Sequence, residues 1–352
     1  MLRNWKRLLC LTMSLLLLAG SFSGCGTSES TPTTAATTEP TEPAPTEPPE
    51  EAKVLKVLNL GNSASVDSNH MINLIAATEG IGNYEEIVIG TLYYSGCKIS
   101  QHVNFLQANS PVYTLYLSST ATADRPPETM DSVTMEMALK FDYWDIIVLQ
   151  ASTSETDSET IFTNGKIQII QNYVNEKKMN PLAYFAWHFT GAPASDPELL
   201  NMYPYEPNPY IANMEKYNYD RLAFFAARTG NIEKFIFADE TIEFVICSGT
   251  AALNAYTSYL TEKDLIRDYT HATDFTRVIL SYMWYANLMG ITEFEEIKLD
   301  TIPKAFLKST QDKTQARVLT EMEKAIILES VNNALKEPLK VTQSQYTEAP
   351  AA

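Results

Sequence analysis

The sequence predicts a three-layer α/β/α sandwich around a central parallel sheet, for two reasons. Short runs rich in Val, Ile and Leu alternate with longer segments of helical periodicity, the pattern of strand–crossover–strand units. One of these runs, Ile146-Ile147-Val148-Leu149, is apolar at every position, as expected of a strand covered on both faces.

The elements follow in order. Residues 54–60 are a Val- and Leu-rich strand punctuated by Gly61 and Asn62, and residues 67–77 continue as a helix with Met71, Leu74 and Ile75 on one face. Residues 87–94 form a second strand ending at Ser95-Gly96, residues 112–117 an extra strand or extended segment, and residues 144–150 a third main strand. Residues 161–177 read as a helix, 181–187 as a strand and 210–229 as a helix. A fifth main strand covers 242–246, followed by helices over 251–259, 275–288 and 314–335. The domain so defined spans 54–336, and residues 337–352 are expected to fray.

Ahead of this domain, residues 1–24 read as a secretion signal. Arg3, Lys6 and Arg7 precede an apolar run too short to span a bilayer, and small residues follow it. Cys25 after Ser23-Gly24 resembles the lipobox cysteine that is lipidated and becomes the new N-terminus; the alternative is an ordinary signal peptide with an incidental cysteine. The linker, residues 25–53, is mostly Thr, Pro, Glu, Ala and Ser, which has too little to bury to offset the entropy cost of ordering. The expected setting is the outer face of a bacterial cell membrane, with the lipid as the only membrane contact.

The formal charge is −17, and −20 once the signal with its three basic and no acidic side chains is removed. Such an acidic chain is a poor partner for nucleic acid. Cys97 and Cys247 remain in the domain, too few for a disulfide framework, and their pairing is left open. No His-Glu-x-x-His or Cys-x-x-Cys is present, so no metal site and no cofactor are expected.

Parallel sheets bind ligands beyond the carboxyl ends of their strands. Ser63, Gly96, Gln150 and His188 each follow a different predicted strand, so the four converge on one rim. A serine at a strand-to-helix turn can act as nucleophile, with the helix N-terminus stabilising negative charge, or can simply cap the helix. Asp268 lies three residues before His271, a spacing that lets one turn present a carboxylate and an imidazole together. His102, six residues after Gly96, is either a site-lining residue or a surface helix residue, and His188 is either site-lining or a satisfied core histidine. The loop around Tyr203 and Tyr205 has the aromatic and proline content of a sugar-stacking wall, or of a segment packed over a core edge. Cys97 beside Gly96 is more naturally a packed thiol than a reactive one.

Four phrases in order carry a resemblance: Lys56-Val57-Leu58-Asn59-Leu60-Gly61-Asn62-Ser63, then Ser95-Gly96-Cys97-Lys98-Ile99-Ser100-Gln101-His102, then Trp144-Asp145-Ile146-Ile147-Val148-Leu149-Gln150-Ala151-Ser152, then Asp268-x-x-His271. Together they resemble the SGNH (GDSL-type) hydrolase superfamily and, within it, the DUF4886 family of bacterial SGNH-like proteins, over residues 54–290. The resemblance implies a flavodoxin-like sheet and a serine esterase without cofactor. It makes Ser63 the nucleophile, His271 the general base and later acid, and Asp268 the group that orients the imidazole. It makes the N–H groups of Ser63 and Gly96 the oxyanion hole, with Gln150 in place of the superfamily's Asn. Ala64 stands where the nearer family carries an aromatic residue. The implied function is removal of an acyl group, acetyl above all, from a carbohydrate or other ester. The alternative is a non-catalytic surface lipoprotein that binds glycans or a solute on the same rim.

Overall fold

The apolar runs close into strands because only a sheet lets five consecutive side chains be buried on alternating faces while the backbone polar groups pair. In a computed structural model that describes residues 53–308 and 315–349, seven strands form one sheet in the order β4-β3-β2-β1-β5-β6-β7. They are β1 (Val54–Gly61), β2 (Glu86–Tyr93), β3 (Tyr113–Ser119), β4 (Glu128–Val133), β5 (Ile146–Gln150), β6 (Tyr184–His188) and β7 (Ile242–Ile246). The five strands β2-β1-β5-β6-β7 are parallel, β3 pairs antiparallel with β2 at that edge, and β4 pairs antiparallel with β3. The expected parallel sheet is therefore mostly parallel, and residues 112–117 belong to a strand of it. Every residue of β5 is buried, as its unbroken apolar run requires.

The helices are α1 (Ser63–Asn69), α2 (Ile72–Glu79), α3 (Ile99–Gln107), α4 (Met135–Leu139), α5 (Thr160–Thr163), α6 (Lys166–Lys177) and α7 (Pro197–Leu200). They continue with α8 (Pro209–Glu215), α9 (Arg221–Asn231), α10 (Ser248–Tyr256), α11 (Glu262–Leu265), α12 (Asp274–Met289) and α13 (Glu321–Lys336). One face of the sheet carries α1, α2, α10, α12 and α13 packed on one another, and α3, α4 and α6 pack together as a second group. A short antiparallel pair, β8 (Thr301–Ile302) and β9 (Arg317–Val318), precedes α13.

Three expected helices are each two. The helix at 67–77 starts earlier, at Ser63, and breaks at His70 and Met71. The one at 161–177 is interrupted by Gly165, whose φ of +77° is a left-handed turn conformation. The one at 210–229 is broken where Asn218 and Tyr219 both take positive φ.

The expected frayed tail is also corrected over residues 337–349. Tyr259 N–H donates to the Tyr346 carbonyl at 2.8 Å, Thr257 Oγ1 donates to the Thr342 carbonyl at 3.0 Å, and Ser344 is buried. The segment lies along the C-terminal end of α10. Cys97 and Cys247 are both buried and unpaired. The signal peptide, Cys25 and linker residues 25–52 lie outside the described residues, as do 309–314 and 350–352. No helix among the described residues is long and apolar enough to cross a membrane.

Candidate active site

Among the parallel strands, the order β2-β1-β5-β6-β7 reverses direction at β1, so the crevice beyond β1 and β5 is the switch point where such sheets bind ligands. Ser63 follows β1 directly and opens α1. The turn before it is tight. A Cβ on Gly61 would stand 2.1 Å from Ser65 Oγ and 2.7 Å from Gln150 Oε1, so only glycine fits. Asn62 caps α1 by accepting from Ala64 N–H at 3.0 Å, while its Nδ2 donates to the Cys97 carbonyl at 3.1 Å. The loop after β2 is thereby tied to the serine turn. Gly96 in that loop has φ +60° and is exposed.

Two backbone donors face no acceptor here. The N–H groups of Ser63 and Gly96 make no hydrogen bond among the described residues, and neither does Ser63 Oγ. Ser63 is half-buried, so its hydroxyl is within reach of a ligand.

Gln150 departs from its expected role. Its Oε1 accepts from Asn62 N–H and from Ser65 Oγ, both at 3.0 Å, and its Nε2 donates to the Ala151 carbonyl. Fully buried and so engaged, the amide braces the turn from below instead of aiming a donor at the rim.

The partner groups arrive on a closed loop. Ile266 and Ala272 form an antiparallel bridge, Arg267 N–H donates to the His271 carbonyl at 2.9 Å, and the Arg267 guanidinium donates to the Ala272 carbonyl. Asp268 sits at the tip. It accepts from the N–H groups of Thr270 at 3.0 Å and His271 at 2.9 Å, and from His271 Nδ1 at 2.8 Å. Burial opposes its charge, but the hydrogen bonds and charge of His271 and the two backbone donors outweigh it, so the carboxyl is held below its usual range. Nδ1 is thus committed to Asp268, whereas Nε2 makes no hydrogen bond among the described residues.

What joins this loop to the serine helix is Asp67, which sequence reading placed only at a helix start. Four residues after Ser63, it accepts from Ala272 N–H at 3.0 Å and Arg267 Nη2 at 3.2 Å, with Arg277 Nε at 3.7 Å. Ser281 Oγ of α12 adds a bond of 2.9 Å to the Ser68 carbonyl. The i, i+4 spacing of Ser63 and Asp67 was the available signal, since it puts both on one helix face. Ser63 and His271 make no hydrogen bond to each other in this structure.

Tyr203 and Tyr205 do converge on the histidine loop. Tyr203 packs edge-on against Tyr205, Tyr210 and Tyr269, with centroids 5.7, 5.3 and 4.9 Å apart, and Tyr269 meets the His271 ring at 5.2 Å. Burial and then the Asp268 charge push the Tyr269 phenol up to about 12. Tyr205 is 69% exposed, leaving its ring open beside this cluster.

His102 and His188 are corrected as rim residues: each is only 1% exposed. His102 bonds Tyr113 through Nδ1 at 2.9 Å, and burial lowers its pKa to about 4. His188 bonds Ser248 through Nε2 at 2.8 Å, and burial together with the Arg228 charge lowers it to about 3. Cys97 is fully buried, and burial and the Glu155 charge push its thiol up, which leaves it protonated and inert. Among the described residues no cluster of three or more His, Cys, Asp or Glu could hold a metal ion.

Comparison with known proteins places this geometry in a family. No curated protein matches. Among solved structures, a DUF4886 family protein from Bacteroides uniformis superposes with a TM-score of 0.65 at 22% identity, over 84% of this chain and 100% of that one. A candidate SGNH hydrolase from Slackia heliotrinireducens aligns with a TM-score of 0.37 at 13% identity, covering 66% of this chain and 98% of its own. A candidate platelet activating factor protein from Streptococcus pneumonia gives 0.36 at 12% identity, covering 68% and 86%. The model of the domain of unknown function DUF4886 matches residues 56–302, the β1-to-β8 body that holds every site residue above, and the chain belongs to that family.

Proposed function

We propose that this chain is a serine esterase that removes a short acyl group, acetyl in the simplest case, from a carbohydrate, and that it is exported and held at the outer membrane face through a lipid on Cys25. The single observation that carries the esterase reading is the Asp67 bracket, which fixes the Asp268–His271 pair against the helix that Ser63 opens.

In this reading Ser63 Oγ attacks the acyl carbonyl and its proton passes to His271 Nε2, while Asp268 holds the resulting imidazolium through Nδ1. The carbonyl oxygen becomes an oxyanion that accepts from the N–H groups of Ser63 and Gly96, both without another partner among the described residues. Collapse breaks the C–O bond to the sugar, and His271 returns the proton to the departing alkoxide. Water, deprotonated by the same imidazole, then attacks the seryl ester and frees the acid and Ser63. The exposed Tyr205 ring beside the cluster suits the face of a sugar ring.

Purified protein from residue 54 onward, treated with a fluorophosphonate probe, is expected to label at Ser63, and labelling is expected to vanish in Ser63→Ala and His271→Ala. A folded protein that neither labels nor cleaves aryl acetates would instead favour a glycan- or solute-binding lipoprotein.

A further inference from the structure

A cavity of about 50 Å³ begins at the residue next to Ser63 and ends on both sides of His271. Ala64 is its wall on α1. Thr270 and Ala272 flank it on the histidine loop, Ala192 on the loop after β6, Leu253 on α10 and Leu280 on α12. None of the rings of the tyrosine cluster lines it.

Its polar lining residues are mostly turned to partners of their own. Asp67 is taken by Ala272 and Arg267, Ser68 Oγ donates to the Ala64 carbonyl at 2.7 Å, and Thr190 Oγ1 bonds Thr153 and Arg228. Arg221 gives Nε and Nη2 to the Pro193 and Ala192 carbonyls, and only its Nη1 lacks an acceptor. What remains facing the space is chiefly carbon: methyl groups of alanines and leucines.

We infer that this cavity is the subsite for the acyl chain, that it takes apolar acyl groups of two to four carbons, and that Ala64 sets the limit. The inference rests on the esterase reading above. One water takes up roughly 10–15 Å³ of such space, so the cavity holds about three to five water-sized groups, the size of an acetyl to a butyryl chain. Ala64 follows Ser63 immediately and lines the cavity, which puts this wall one residue from the acylated serine. A larger side chain there would occupy the space the acyl tail needs. The sugar would then lie outside this cavity, where the exposed Tyr205 ring stands beside the histidine loop.

The test is the chain-length profile of kcat/KM on aryl acetate, propionate, butyrate and hexanoate. Wild type is expected to gain roughly fourfold per methylene up to butyrate, the increment for burying one such group, and to drop at hexanoate. Ala64→Leu should lower the butyrate-to-acetate ratio at least about tenfold. Leu280→Ala, which enlarges the cavity from α12, should raise the hexanoate-to-butyrate ratio. Thermal melts of both variants establish that they are folded, and having one filling and one enlarging change keeps the test open if either fails to fold. Hydrolysis with unchanged ratios, or a preference for the succinate half-ester over butyrate, would overturn this inference and leave the esterase reading standing. Absence of hydrolysis and of fluorophosphonate labelling in wild type would overturn both.

Discussion

At the scale of single residues, Gly61 and Asp67 constrain the site more than the groups assigned to chemistry. A methyl group on Gly61 would overlap Ser65 Oγ and Gln150 Oε1, and both of those are fixed by hydrogen bonds beneath the turn. Gly61→Ala is therefore expected to destabilise the domain by about 1–3 kcal/mol, the usual cost of overpacking, read as a lowered urea midpoint. Asp67→Asn keeps the shape but removes the charge that faces Arg267 at 3.2 Å and Arg277 at 3.7 Å, while Arg277 keeps its nearer partner Asp274 at 3.0 Å. Weakening these charge-assisted bonds is expected to cost about 1–3 kcal/mol, and fluorophosphonate labelling should fall with it because the tether of the histidine loop loosens. The sequence displayed Ser63, Asp268 and His271 through local order alone. It did not display Gln150's occupation, because whether an amide points to a rim or to its own backbone depends on the packing around it. Nor did it display the burial of His102 and His188, since a histidine that ends a strand is compatible with either side of the rim.

At the scale of elements, the buried parallel strands were legible, whereas the helix interruptions and β4, exposed over all but its last residue and so without an apolar pattern, were not. Unbroken apolar runs such as β5 have one stable placement, at the centre of a sheet, so their pattern is nearly sufficient. The breaks at Gly165 and at Asn218-Tyr219 depend on backbone conformations that other residues in helical periodicity conceal. The loop between α7 and α8 was legible in composition, and its consequence is structural: it sets Tyr205 open beside the Tyr269–His271 pair. If that ring carries a sugar, Tyr205→Ala should raise KM for an acetylated oligosaccharide roughly fivefold, and by more than it raises KM for an aryl acetate. Equal effects on the two substrates would assign the ring to packing.

At the scale of the whole molecule, two features concern stability. The tail is bonded to α10 over residues 342–346, and α10 supplies Leu253 to the acyl cavity. Removing residues 337–352 is expected to lower the melting temperature by several degrees, as a loss of about 1–2 kcal/mol would do in a domain of this size. The buried neutral histidines add a dependence on pH. With folded pKa values of about 4 for His102 and about 3 for His188, the unfolded chain binds more protons from its ordinary histidine range down to those values. The contribution of these two histidines to stability is thus complete above about pH 6.5 and is lost as the pH falls toward 4. His102 alone accounts for a loss on the order of 3 kcal/mol, and His102→Gln should flatten that part of the urea-midpoint profile.

The Asp67 bracket has one more consequence, in time. Its bond to Ala272 joins residues 205 apart in the chain, and the Ser68–Ser281 bond spans 213. Contacts of such separation form late, after the loop-closure entropy of everything between them has been overcome. As the chain emerges from its N-terminal side, Ser63 and Gly96 can take their places on β1 and β2 while the histidine loop is still being made. On the proposed esterase reading, Ser63 consequently stays without His271 until the last parallel strand and α12 have docked, so hydrolytic competence and completed folding would arrive as one event.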